Sequence, residues 1–183
     1  MVGRFVLVIA VVALAAGVLY LGAGGLTTFY YIASTPMSSP DRCVPAQVLS
    51  NRVIKAGDVV TCELSASYAG YAGQGLRTYT VSQEPTPQIA ELHALAEDVY
   101  HKVAAAIRPG ATVVEVWDAS EAISERGFSI RDDLVHGYGI GLLPPWVRTR
   151  QTTHGRDDDW RFEAGQTVVI QPNVITVDET AGV

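Results

Sequence analysis

No run of lysine or arginine occurs anywhere in this chain of 183 residues. Its 13 Lys and Arg are outnumbered by 19 Asp and Glu, for a formal net charge of −6. Phosphate binding needs a basic face, so nucleic acid is excluded as a partner. Cysteine is almost as scarce, with only Cys43 and Cys62. Their spacing matches no zinc motif, and two thiols cannot build a disulfide framework. They form one bridge at most if the domain is exported, and act as small buried hydrophobes if it stays in a reducing compartment. There is no internal repeat and no low-complexity tract. What remains is 48% hydrophobic and 17% charged, a globular composition with enough length for one sizeable core.

One long uncharged run stands out. Phe5 to Leu26 carries no charge, and about 20 such residues can span a bilayer as a helix. Arg4 precedes the run and no further Lys or Arg follows until Arg42, which favours the N-terminus inside. The same run, ending in Gly22-Ala23-Gly24-Gly25, also reads as a secretory signal. A buried core segment, or a displaced start codon, is the alternative. The expected division is therefore an apolar segment over 1–26 and a folded domain over 27–183. Membrane contact through residues 5–26, or export, follows if the segment is genuine; a cytoplasmic location follows otherwise.

Beyond it, Thr27 to Ala33 is aromatic and β-branched and predicts a strand. Ser34 to Asp41, with Pro36 and Pro40, predicts a loop. Asp58 to Tyr68 and Gly70 to Val81 predict an antiparallel hairpin across a short link. Thr86 and Pro87 suit a helix N-terminus. Ile89, Leu92, Leu95, Ala96, Val99, Val103 and Ile107 then recur at helical spacing. A second helix is expected from Thr112, with Glu115 closing a capping box, to Gly127. A glycine-rich stretch from His136 to Pro145 and a polar loop from Gln151 to Trp160 follow. Thr167–Ile170 and Val174–Val177 predict short strands. Strands, a helix pair and strands again give an α+β fold with a mostly antiparallel sheet.

Three stretches carry a resemblance. The first is Lys55-Ala56-Gly57-Asp58, continuing to Gly70-Tyr71 and Arg77-Thr78-Tyr79. The second is His136-Gly137-Tyr138-Gly139-Ile140-Gly141-Leu142. The third is Phe162 to Pro172, with Gly165 and Gln171-Pro172. In this order and spacing they resemble the pita-bread superfamily of methionine aminopeptidases, Xaa-Pro aminopeptidases and creatinase. The resemblance covers about Ser50 to Val183. It implies a pita-bread fold, incomplete at both ends, and an aminopeptidase-like hydrolase. It also implies two divalent ions held by two Asp, one His and two Glu, a set suited to activating water and polarising a scissile carbonyl.

The matching positions here hold other residues. The two Asp positions fall on Glu63 and Gln74, the His on Tyr138 and the first Glu on Gln171. The last Glu would lie beyond Val183. The base used by creatinase would fall on about Ala46. A carboxamide is a far weaker ligand than a carboxylate, so no metal and no other cofactor is expected. His136, Glu63 and Tyr138 are the candidate catalytic residues for metal-free chemistry. Gln74, Gln171 and Trp146 are the candidate substrate-binding residues, Trp146 as an apolar wall. His136 reads also, and more simply, as a residue that fixes its loop by hydrogen bonding. His93, Glu97 and His101 share one stripe of the first helix, which reads as a solvated face. Three functions stay open: metal-free hydrolysis of small amino-acid-like or peptide substrates, a non-catalytic peptide- or protein-binding module, and a truncated copy. A homo-oligomer is compatible with each.

Overall fold

The computed structural model describes residues 25–43 and 51–183, with side chains from residue 31 onward. The apolar segment lies outside the described residues apart from Gly25 and Leu26, and so does Ala46. Among the described residues no helix is long and apolar enough to cross a membrane.

The first three strands form one antiparallel sheet in the order β1-β2-β3: β1 (Gly25–Pro36), β2 (Asp58–Tyr68) and β3 (Tyr71–Thr80). The expected hairpin joins β2 to β3, with Tyr68 opposite Tyr71. Its two link residues, Ala69 and Gly70, both have positive φ, at 49° and 86°. That is the backbone of a tight two-residue turn whose twist matches the strands. β1 runs past the expected loop start, through Ser34 and Thr35 to Pro36. Pro36 is tolerated because β1 is an edge and the residue ends it. Buried Ser34 and Thr35 are satisfied by Arg52 and Asp41 respectively, at 2.6 and 2.7 Å.

Helix α1 (Pro87–Ala106) is the expected one, and it buries Ile89, Leu92, Leu95, Val99 and Val103. Pro87 opens it, but Thr86 makes no side-chain cap, and its hydroxyl is buried without a partner among the described residues. The expected second helix is two: α2 (Val113–Ser120) and α3 (Ala122–Glu125). The Ser120 hydroxyl bonds back to the Trp117 carbonyl at 3.1 Å, and Ser124 does the same to Glu121 at 2.9 Å. Such back-bonding competes with the helix ladder and bends it. Glu115 accepts the Thr112 N–H at 2.7 Å, as the capping box requires.

After Gly127 come β4 (Phe128–Ile130), β5 (Val135–Tyr138) and β6 (Leu142–Val147), then β7 (Val168–Ile170) and β8 (Val174–Thr176). β4 pairs with β8, and β5 lies between β6 and β7, all antiparallel. The glycine- and proline-rich stretch therefore folds as two strands rather than as irregular chain. Pro144 and Pro145 are accommodated because β6 is an edge. A register shift falls between His136 and Gly137. A Cβ at Gly137 would lie 2.1 Å from the Pro144 carbonyl oxygen, so only glycine fits there. One core unites these parts: the apolar face of α1 packs with Val113, Val116, Ile123, Leu134, Val135 and Val174. Both cysteines are free thiols.

Candidate functional site

Strand alternation sets the site. On β2, Thr61, Glu63, Ser65 and Ser67 share one face, because successive side chains point to opposite sides. Thr61, Ser65 and Ser67 are buried and Glu63 is half-buried. Across the ladder Gln74 lies opposite Ser65, and Leu76 opposite Glu63. Gln74 is thus the diagonal neighbour of Glu63, within reach of a long side chain. Its amide nitrogen donates to Glu63 Oε1. The Gln74 amide oxygen turns the other way, 2.9 Å from His136 Nε2.

His136 arrives from the second sheet on β5. The two sheets meet where the Ala72 N–H bonds the Gly139 carbonyl at 2.8 Å. His136 is buried, and its Nδ1 lies 3.1 Å from the Gly137 carbonyl oxygen. Both ring nitrogens therefore face oxygen acceptors, and a neutral imidazole can donate to only one of them. Trp146 is the cross-strand partner of His136 and stacks on it, with centroids 6.0 Å apart and planes at 20°. Tyr138 meets the same ring edge-on at 5.8 Å. Arg156 also reaches Trp146, its guanidinium carbon 4.8 Å from the ring centroid, and Asp157 accepts the Trp146 backbone N–H at 3.0 Å.

Of the residues expected from sequence, Glu63, Gln74 and His136 form one hydrogen-bonded chain, and Tyr138 and Trp146 flank its imidazole. Gln171 stands apart from that chain. It is buried, its backbone N–H bonds the Leu134 carbonyl at 2.9 Å, and its side-chain Oε1 has no hydrogen-bond partner among the described residues. Gln74 and Gln171 both line a cleft of about 540 Å³, whose α1 side is formed by His93, Ala96, Glu97, Tyr100 and His101. The His93, Glu97 and His101 stripe is exposed, as expected, and it also borders this cleft. Among the described residues no three His, Cys, Asp or Glu side chains are grouped so as to hold a metal ion.

Two acidic neighbours were not singled out from sequence. Burial, and next the charge of Asp132, push the Glu63 carboxyl above its ordinary range, while His136 and the Gln74 hydrogen bond pull it down. Asp133 is pushed up in the same way, by burial first and Asp132 second, and is pulled down by Arg148, His136 and Arg156. Adjacent acids between two strands give no pattern that reveals the charge of Asp132 acting on Glu63.

The model of metallopeptidase family M24 matches residues 12–183. An uncharacterised peptidase, YqhT, of Bacillus subtilis is 30% identical over 145 residues, covering 76% of this chain and 38% of that protein. A Xaa-Pro dipeptidase of Pyrococcus furiosus is 29% identical over 135 residues, covering 72% of this chain and 36% of its own length. Among solved structures, the prolidase from Pyrococcus horikoshii OT3 superposes with a TM-score of 0.68 at 26% identity, covering 86% of this chain and 43% of that one. The chain thus spans little more than a third of the length of these two curated relatives. The fold neighbours are the pita-bread proteins that the three sequence stretches resemble.

Proposed function

Because this chain belongs to metallopeptidase family M24, we propose that it is a peptide-binding member of the family that works without a dinuclear metal centre. The observation that carries this reading is the Glu63–Gln74–His136 chain. The resemblance places Glu63, Gln74, Tyr138 and Gln171 where relatives hold metal. One carboxylate, two carboxamides and a phenol do not balance two divalent ions. Gln74 is moreover engaged at both ends, its nitrogen by Glu63 and its oxygen by His136. A neutral amide here joins a carboxylate to an imidazole, a task that needs no cation. These residues do not fit a two-metal centre, and no chemical step is routed through one.

The same geometry favours binding over base catalysis. A general base must present a lone pair to the substrate proton. Both nitrogens of His136 instead face the oxygens of Gln74 and Gly137. On this reading the cleft that Gln74 and Gln171 line holds a small peptide or amino-acid-like ligand, with Glu63, one hydrogen bond behind Gln74, as the counter-charge for its amino group and Trp146, stacked on His136, as the nearby apolar surface. Metal-free hydrolysis is the second reading, favoured by one observation, the Glu63 carboxyl held above its ordinary range.

The test is direct. The chain is dialysed separately against Mn²⁺, Co²⁺ and Zn²⁺ and its metal content counted by elemental analysis, then titrated with the dipeptide Ala-Pro by calorimetry. Near-zero metal in all three, with saturable heat and no free proline released, is the expected result. One or two tightly held ions per chain would overturn the metal-free reading. Proline release without metal, abolished in Glu63→Gln, would establish the hydrolase instead. Gln74→Leu is expected to weaken Ala-Pro binding about tenfold, the equivalent of one charge-assisted hydrogen bond.

A further inference from the structure

The Glu63–Gln74–His136 chain has a direction built into it. An ionised carboxylate only accepts hydrogen bonds. The end of the Gln74 amide that meets Glu63 Oε1 is therefore its NH2 group. The planar amide then has no freedom left, and its oxygen is the atom 2.9 Å from His136 Nε2. An amide oxygen has no proton to give, so the proton of that contact sits on Nε2. The other ring nitrogen, Nδ1, lies 3.1 Å from the Gly137 carbonyl oxygen, which is also an acceptor without a proton. Two oxygens thus compete for the one proton of a neutral imidazole.

We infer that Gln74 is a positioning residue: anchored by the Glu63 anion, it fixes the proton of His136 on Nε2 against the pull of the Gly137 carbonyl. The ring has no other way to settle the contest. Turning it over would put carbon where each nitrogen now stands, beside the same two oxygens. The imidazole is 3% exposed, stacked on Trp146 at 6.0 Å and met edge-on by Tyr138 at 5.8 Å, so its plane is held by packing.

The residue type at position 74 matters for the same reason. A carboxamide donates from one atom and accepts at another. An aspartate, which the resemblance implies at this position, would set one acceptor against another at Glu63. Gln74 lies diagonally across the ladder from Glu63, a separation that a long side chain spans. The charged groups that act on Glu63 are Asp132, from the segment between β4 and β5, and His136 on β5. Neither donates to the carboxylate in place of the amide among the described residues. With Nε2 protonated, His136 is a donor toward Glu63 and Gln74 and not a base. On the second reading above, metal-free hydrolysis, the base is then Glu63.

The test is a long-range proton–nitrogen NMR spectrum of the imidazole rings in the full ¹⁵N-labelled chain. It is recorded at about pH 9, above the ordinary range of histidine and of carboxyls. Protonated and bare ring nitrogens give well-separated signals. Of the four histidines, His136 is the one whose signals vanish in His136→Gln. In the wild type the Nε2–H form is expected to exceed the Nδ1–H form about tenfold, the scale of one net hydrogen bond. In Gln74→Leu the proton is expected on Nδ1, bonded to the Gly137 carbonyl, with His93, His101 and His154 unchanged. Gln74→Met, unbranched and close to glutamine in length, repeats the measurement with less disturbance of the packing. A bare Nε2 in the wild type overturns the assignment without any variant. So does an Nε2 that stays protonated in either folded variant, because histidine in water already favours that form. The spectrum is read without peptide. If it fails, the binding reading still stands or falls on metal content and Ala-Pro calorimetry. If Ala-Pro does not bind, the proton on Nε2 is untouched.

Discussion

Asp58 and Glu63 are carboxylates on the same strand, and the fold treats them in opposite ways. Asp58, at the start of β2, is 2% exposed. Arg52 grips it with both ends of its guanidinium, each at 2.7 Å, and the Lys55 N–H adds a third bond at 2.7 Å. That grip, with the Arg52 hydrogen bond as its largest part, holds the Asp58 carboxyl below its usual range. Glu63 is given an amide and, beyond it, an imidazole, and burial pushes its carboxyl up. One carboxylate is stabilised as an anion where it ties Arg52, on the segment before β2, to the sheet. The other is kept at an energetic disadvantage beside Gln74, which itself lines the cleft. Carboxylates raised in this way cluster at functional sites, and the contrast supports the reading of the β2–β3–β5 face as the site.

The largest way to break the comparison is to remove the anion at Asp58. Asp58→Asn leaves the half-buried Arg52 guanidinium without its counter-charge, the costly half of a broken buried pair. We expect a loss of about 3 kcal/mol in urea unfolding, with the segment before β2 more open to protease. A loss below about 0.5 kcal/mol would mean the pair is only a surface contact. Next in size is Gln74→Leu, which severs the bonds to Glu63 and His136 together. Leaving two partly buried polar partners unmatched costs about 1–3 kcal/mol, and hydrogen exchange at the Ala72–Gly139 junction should rise in step.

How far the sequence reveals these two sites differs for a physical reason. The Asp58 corner is local. Arg52, Lys55, Gly57 and Asp58 lie within one short stretch, and the alternation that follows predicts the hairpin. Helix α1 was legible for the same reason, since its apolar residues repeat at helical spacing and five of them are buried. Glu63, Gln74 and His136 are joined only by tertiary structure. They were singled out through the resemblance, and nothing in their spacing says that Gln74 bridges the other two. β5 and β6 were hidden because glycines and prolines punctuate them, and these are tolerated only by a register shift at Gly137 and an edge position. The division of α2 from α3 depends on where the Ser120 hydroxyl bonds, which composition cannot specify.

The two carboxylates also predict opposite pH trends. Asp58 has a depressed folded pKa. Its contribution is complete above its ordinary value near 3.8 and is lost as pH falls through the lower folded value. Glu63 has a raised folded pKa, so the folded state binds its proton more tightly than the unfolded chain does. Its effect is a stability that declines as pH rises from its ordinary value near 4.5 through the folded one. Urea midpoints measured across the acid range should therefore show a shallower acid loss in Asp58→Asn than in the wild type. In Glu63→Gln the decline above pH 4.5 should shrink. An unchanged profile in both variants would assign the pH dependence to other groups.

The smallest effect sharpens the contrast most. Glu63→Gln keeps an oxygen acceptor for the Gln74 amide and removes only the charge. Glu63 is half-buried, so solvent screens part of that charge. We expect stability at pH 7 to change by less than about 1 kcal/mol, in the stabilising direction, because a disfavoured anion is removed and no donor is orphaned. Ala-Pro binding should weaken in the same variant, as the ligand's amino group loses its counter-charge. Stability and binding would then move in opposite directions from a single substitution. A destabilising change at Glu63 comparable to that at Asp58 would make both carboxylates structural, and Glu63 would lose its place as the ligand's counter-charge.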